Sequence, residues 1–409
     1  MKRFSTYITE SKNTHMTHLE DRILDAGVEG TREAINFLRA LRDMLAGKSK
    51  GKVNVTVKWD GAPAIFAGKD PSDGKFFVAK KGIFNKNPKI YKTNADIDAD
   101  TDGDLNTKLK LALAELPKLG IEGVVQGDFL YSQEDIKTVE IDGEPHITFH
   151  PNTIVYSIPK KSKLASQILA SKIGVVWHTT YRGDSLETMR ASFGKEIAST
   201  LKKNKNVWSV DAVYKDVSGL ATFTQKETEA VTKILSQAGK IFSGLKRETI
   251  DGIHKNEELR LRVNTFVNAK VREGQRITNP SRFVNELVDY IMGYYKKQED
   301  ARKSERGKQA QRDKSKEVLK YFSVVDKREI VRLFELYNLI VDAKLMIVRK
   351  LDTAKRINTL LLTPNGYEVT EQEGFVAIDR TGKNAVKLID RLQFSRANFS
   401  PDIIKGWQR

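Results

Sequence analysis

Two different periods govern the apolar positions of this chain. Between 52 and 158, apolar runs at 53–57, 64–67, 76–80, 123–131, 147–149 and 153–158 are separated by turn clusters such as Asp70-Pro71-Ser72-Asp73-Gly74. Short runs bounded by such turns predict antiparallel β structure. Ahead of them, Glu29-Gly30-Thr31-Arg32-Glu33 opens a predicted helix over 29–46, with Ala34, Phe37, Leu38, Leu41 and Leu45 on one face. Inside the β region, the apolar residues Leu105, Leu109, Leu111, Ala112, Leu113 and Leu116 predict a helix over 105–118. A further helix over 163–172 leads into the strand Ile173-Gly174-Val175-Val176-Trp177-His178.

From about 186 to 360 the period changes to long helical patterns rich in Lys, Arg and Glu. One starts at the cap Asn279-Pro280-Ser281 and carries Phe283, Leu287, Tyr290, Ile291 and Tyr294. It runs into the polar stretch 296–317, which reads as a solvated helix or a mobile loop. Asp326-Lys327-Arg328-Glu329 has the form of a capping box before the helix Ile330–Leu351. After Pro364-Asn365-Gly366, strand texture returns at 367–369, 374–379 and 385–389. The expected organisation is therefore α+β. A tail at 1–10 precedes a β domain made of 11–185 and 361–409, interrupted by a basic helical insertion at 186–360.

Composition narrows the partners. The chain has 409 residues, enough for more than one domain, and its 70 Lys+Arg against 53 Asp+Glu give a net charge of +17. Basic residues crowd 201–205, 239–247, 255–276 and 296–320, while 94–104 is acidic. That distribution points to a polyanion, foremost nucleic acid. No run of about 18 apolar residues is present to span a membrane, and no signal-peptide core is found. With no cysteine, disulfides and thiolate metal sites are excluded.

The chemistry concentrates in a series of short motifs. In order they are Lys58-Trp59-Asp60-Gly61, Lys80-Lys81-Gly82, Gln126-Gly127-Asp128-Phe129-Leu130, Ile154-Val155-Tyr156-Ser157-Ile158, Glu373-Gly374-Phe375-Val376 and Ala385-Val386-Lys387-Leu388-Ile389-Asp390. This order resembles the motif series of the covalent lysine nucleotidyltransferases, the polynucleotide ligases and mRNA capping enzymes. Within that superfamily it is most similar to phage-type RNA ligases, over roughly 52–180 and 367–392.

The resemblance implies a ligase-type nucleotidyltransferase domain that uses ATP and Mg²⁺. Lys58 would attack the α-phosphate as a neutral amine. Free lysine titrates near 10.4, so nearby cations must lower that value. Lys81, Lys387 and a divalent metal would do so while neutralising phosphate charge. Asp128 and Glu373 would supply the hard oxygens that Mg²⁺ prefers. Tyr156 would stack on the base, and Asp60 would orient the lysine or contact the nucleotide. The chain departs from the family at Asp128, where Glu is usual, and at Ile389, where RNA ligases often carry a second lysine unless Lys383 substitutes. The 19 residues after Asp390 are too few for the terminal barrel of DNA ligases and capping enzymes, which favours RNA as substrate. A DNA ligase, a guanylyltransferase, or a nucleic-acid-binding or virion-packaged protein that keeps the fold without catalysis are the alternatives.

Other patterns carry less. Asp98 to Asp104 imitates a calcium loop, but Leu109 stands where the bidentate Glu belongs, so an acidic turn and helix cap are expected. His146 and His150 are flanked by prolines and do not share a helical face. Residues 1–10, ending Ile8-Thr9-Glu10, resemble the capsid-targeting tails of internal head proteins of T-even-type phages. That likeness implies a prohead or capsid partner and a place in the infected cell's cytoplasm or the virion.

Overall fold

The computed structural model describes residues 16–48, 53–85, 87–214, 221–354, 357–379 and 385–408. The tail at 1–10 and Lys383 lie outside them. The chain begins with helix α1 (Arg22–Leu45) and strands β1 (Val53–Lys58), β2 (Ala64–Lys69) and β3 (Phe76–Ala79). Helices α2 (Asn94–Asp98) and α3 (Gly103–Glu115) precede β4 (Val124–Ser132), β5 (Lys137–Ile141), β6 (Glu144–Phe149) and β7 (Val155–Pro159). Helix α4 (Lys163–Leu169) leads to β8 (Ile173–Arg182), β9 (Arg190–Phe193) and β10 (Val207–Asp211). Next come α5 (Gln225–Gly244), α6 (Arg247–Lys255), α7 (Glu257–Arg272), α8 (Pro280–Asp300), α9 (Glu305–Val324) and α10 (Lys327–Asp352). The chain closes with β11 (Asn358–Thr363), β12 (Gly366–Val369), β13 (Gly374–Asp379), β14 (Ala385–Leu388) and α11 (Arg391–Phe399).

The strands form three sheets, ordered β1-β13-β14, β10-β8-β4-β2-β3 with β9 on β8, and β12-β11-β7-β6-β5. All pairings are antiparallel except β10 with β8. Strands from before and after the helical run pair directly, β1 with β13 and β7 with β11. The first and second sheets join where Val57 N–H donates to Ala212 O and Tyr214 N–H to Val55 O. One face of the first sheet, with Val55, Phe375, Ala377, Val386 and Leu388, shares its core with α1 and the helices from α5 to α10. One face of the second sheet, with Ile65, Val125, Phe129, Val175 and Trp177, packs on Leu109 and Ala112 of α3.

Several elements differ from expectation. α1 starts seven residues before the predicted 29, because Gly27 at φ 57° lets the chain turn within it. A Cβ there would lie 2.4 Å from Asp251 Oδ1, which instead accepts Val28 N–H. The stretch 296–317 is the end of α8, a turn, and α9 capped by Ser304. Asp326 caps α10, but Glu329 accepts Lys246 N–H and leaves the box half formed. The 186–360 region, expected to be helical, also contributes β9, β10 and β11. The acidic loop is neutralised by lysines: Asp98 pairs with Lys110, Asp100 with Lys80 and Lys89, and Asp104 with Lys108. Among the described residues no helix is long and apolar enough to cross a membrane.

A buried ion pair ties the N-terminal segment to the helices. Glu20 and Lys344 are each 1% exposed and 2.7 Å apart, with Arg391 3.7 Å from the same carboxylate. Removing one partner leaves an uncompensated buried charge, which costs about 3–5 kcal/mol. Glu20→Ala should lose about that much in urea denaturation. Glu20→Leu combined with Lys344→Met should stay within about 1–2 kcal/mol of the parent.

Candidate active site

A cleft of about 420 Å³ opens between the free faces of the first and second sheets. Strand alternation decides what lines it. On β1 the odd positions Val53, Val55 and Val57 alternate with Thr56 and Lys58, and the register sets Lys58 opposite Gly374 on β13. Glu373 is thereby brought against Lys58, and its Oε1 accepts the ammonium. Val376 opposite Lys387 puts the second lysine on the same face. From the other sheet, Asp128 sits across from Ala64, and Lys81 opens the short 3-10 turn Lys81–Phe84 after β3. Lys58, Lys81, Asp128, Glu373 and Lys387 all line this one cleft. Gly61 is required for the approach, since a Cβ there would lie 2.6 Å from Asp128 Cβ.

The charges are strongly coupled. Burial pushes the Asp128 carboxyl up to about 7, against the pull of Lys58, with Asp60 adding to the rise. Burial likewise lifts Glu373 to about 7, opposed by Lys58. Burial works against the Lys58 ammonium, but Glu373, Asp128 and Asp60 outweigh it and raise its pKa. This is opposite in direction to the lowered value expected from its neighbours. Three carboxylates surround Lys58, and together they outweigh the lysines. Lys387 is the amine that is lowered, by burial and then by the Lys58 charge. His178 is lowered to about 4 by burial and Lys58, and its Nε2 stands 3.8 Å from Asp128 Oδ2.

Two sequence expectations need correction. Tyr156 is 3% exposed and lies outside the cleft, because β7 belongs to the third sheet and turns this ring inward. It stacks on Phe149 at 5.4 Å and its hydroxyl accepts Asp60 N–H at 2.7 Å. Asp60 reaches the cleft wall, but its carboxylate is engaged elsewhere. It accepts Asn152 Nδ2 at 2.6 Å and the backbone N–H groups of Thr153 and Ile154 at 2.7 Å each. Asp60 thus fixes the turn that carries Lys58 and acts on the lysine only through its field. Ile389, at the place of the family's second lysine, is 2% exposed and faces the core.

Sequence reasoning missed the aromatic wall of the cleft. Phe66, Phe84 and Tyr181 meet with ring centroids 5.2–5.7 Å apart, and Phe193 lies beside them. Tyr181 donates to Gln126 Oε1 at 2.7 Å. These residues come from β2, the turn after β3, β8 and β9, and only the alternation of each strand hinted that they share a face. For a divalent cation, Glu373 Oε2 is buried without a hydrogen-bond partner, and Asp128 accepts no hydrogen bond among the described residues. No group of three or more His, Cys, Asp or Glu side chains is placed to hold a metal among the described residues. Two hard carboxylates suit Mg²⁺, which keeps water and phosphate oxygens as its other ligands.

The raised carboxyls have a pH consequence. The folded chain holds protons on Asp128 and Glu373 between about pH 4 and 7 that the unfolded chain releases. Their contribution to stability is therefore complete at the acid end and lost as pH rises through about 7. Asp128→Asn should match wild type in melting experiments near pH 4 and exceed it by on the order of 2 kcal/mol near pH 8.

Comparison with curated proteins and with solved structures gives no match. Residues 13–402 match a family of unknown function, DUF6267, and with nearly the whole chain covered the protein belongs to that family.

Proposed function

We propose that this chain is an ATP-dependent polynucleotide ligase, acting on RNA, that works through a lysyl-AMP intermediate on Lys58. What carries the reading is the convergence of Lys58, Lys81, Asp128, Glu373 and Lys387 on one cleft from segments up to 329 positions apart. Cleft amines and carboxylates in this proportion suit a triphosphate that arrives with a cation.

Lys58 Nζ attacks the α-phosphorus of ATP, forming an N–P bond as the bond to pyrophosphate breaks. The amine must first lose its proton. Asp128 and Glu373 would hold a hard cation, and engaged in that way they would no longer hold Lys58 charged. Lys81 and Lys387 then favour its neutral form. Mg²⁺ held there would neutralise phosphate charge and make the phosphorus more electrophilic. AMP next passes from Lys58 to a 5′-phosphate. A 3′-hydroxyl then attacks that phosphate, AMP leaves and the hydroxyl proton goes to solvent. The wall of Phe66, Phe84 and Tyr181 takes the base-stacking role first assigned to Tyr156, and Gln126 offers an amide to the base edge.

The buried Ile389 and the tight Lys58–Glu373 pair favour a second reading, a nucleic-acid-binding protein that retains the fold without catalysis. Incubation with Mg²⁺ and α-labelled ATP separates the two. Under the first reading wild type takes up acid-labile label and Lys58→Ala takes up none. Label that survives Lys58→Ala, or no label on wild type, rejects it. In the same assay Phe84→Ala or Tyr181→Ala should raise the ATP requirement roughly tenfold, within the ~1–3 kcal/mol range of base stacking. Tyr156→Phe, which leaves Asp60 N–H without its acceptor, should lower the amount of label without raising the ATP requirement as the two wall substitutions do.

A further inference from the structure

α8 and α9 pack as an antiparallel hairpin whose turn is strongly charged. The acids at that turn are already engaged. Glu299 pairs with Arg312, Asp300 with Lys296 and Glu305 with Lys308. Lys297, Arg302, Lys303 and Arg306 are exposed, and none forms an ion pair among the described residues. Further along α9, Lys314, Lys316 and Lys320 are exposed and likewise in no ion pair among the described residues, with Asp313, bonded to Gln309, and Glu317 the two acids beside them outside any ion pair. A solvated helix normally interleaves its charges as pairs. Here the pairs are complete and a surplus of cations remains.

Helix energetics account for Lys297, in the last turn of α8, but not for the rest of that surplus. Arg302 and Lys303 come just before the Ser304 cap, and Arg306 lies in the first turn of α9. The positive end of a helix disfavours cations at those positions. Residues 296–320 also contain no aromatic side chain, so the hairpin has no platform on which unpaired bases could stack. From Arg306 to Lys320 the helix is about 21 Å long, the rise of about six base pairs of duplex.

We infer that the α8–α9 hairpin is a docking arm that grips the phosphate backbone of a nucleic-acid duplex without reading its sequence. For its purpose this rests on the ligase reading, because the arm would hold the strands whose ends the cleft joins. Its test does not need Lys58 chemistry.

Binding of the full chain to a labelled duplex is followed by fluorescence anisotropy over a range of salt. The test variant carries Lys303→Gln, Arg306→Gln, Lys314→Gln and Lys316→Gln, all on exposed side chains. The control removes equal charge outside the basic clusters, with Lys75→Gln, Lys137→Gln, Lys160→Gln and Lys195→Gln, also exposed. The hairpin variant should bind at least roughly tenfold more weakly. The slope of log K against log salt should shrink by about 3–4, at ~0.9 for each lost phosphate contact. The control should change neither by as much, and single strands of the same length should bind more weakly than duplex. Unchanged affinity and slope in the hairpin variant overturn the proposal. So does an equal loss in the control, which would mark a general effect of net charge. Loss of binding to polyglutamate rather than to duplex would overturn it too, in favour of an acidic protein partner. Lysyl-AMP formation measured on the same variants reports separately on the ligase reading.

Discussion

The cleft depends on one long-range pairing, β1 with β13. Six residues of Val53–Lys58 are matched in register with Gly374–Asp379 across more than 300 positions of chain. A slip of one residue would turn every side chain to the other face. Lys58 would then point into the helical core and Val57 into the cleft, and Glu373 would lose its contact with the amine. Two things pin the register. Gly374 has a φ of 139° and leaves no room for a Cβ against Leu388 O, at 2.7 Å. The apolar faces of β1, β13 and β14 are also committed to the helices behind them. The chemistry of the site is thus enforced by packing on the opposite side of the same sheet.

What that pairing assembles is electrostatically unresolved. Two carboxyls are lifted to about 7, one amine is raised and another is lowered, all within a single cleft. Structural ion pairs elsewhere in this chain look different. The acidic loop at 98–104 meets a lysine for each of three aspartates, and Glu20, which also has a buried oxygen without a hydrogen-bond partner, faces two cations, Lys344 and Arg391. In the cleft Glu373 has such an oxygen too, but Lys58 is the one cation that the described ion pairs set against it. Burying a carboxylate without satisfying it costs stability.

Much of this was legible in the sequence, for physical reasons. Strands β1, β2, β4 and β13 were readable because one face of each is apolar and a turn bounds each run. The ordered motifs lie on those strands, so their convergence followed once the sheets formed. Tyr156 was misplaced because position after a motif says nothing about which of two faces a strand turns to the core. The charge state of Lys58 was read with the wrong sign because spacing does not reveal that Asp60, Asp128 and Glu373 surround it together. β5, β9 and β10 escaped notice because they are short, and every β5 position is polar or half-exposed. The run Thr359-Leu360-Leu361-Leu362 belonged to β11, but a short apolar run does not distinguish strand from helix.

The helical run is not free to act as a lid hinged over the cleft. Its helices complete the core of the first sheet, with Val55, Phe375, Ala377, Val386 and Leu388 buried between them. Uncovering the larger four of these side chains would cost ~1.5–3 kcal/mol each. The sum rivals the ~5–15 kcal/mol that holds a whole domain folded. The helices must therefore move with β1, β13 and β14 as one body, which carries Lys58, Glu373 and Lys387. Asp128, Lys81 and the aromatic wall belong to the other body. The two are held together by backbone bonds between β1 and residues 212–214, and by the third sheet, whose β11 follows the helices and pairs with β7 while its core is shared with Leu130, Tyr131, Val176 and Trp208 of the second sheet. A nucleic acid held by the α8–α9 hairpin would therefore keep a fixed position relative to Lys58, because the helices and β1 share one core.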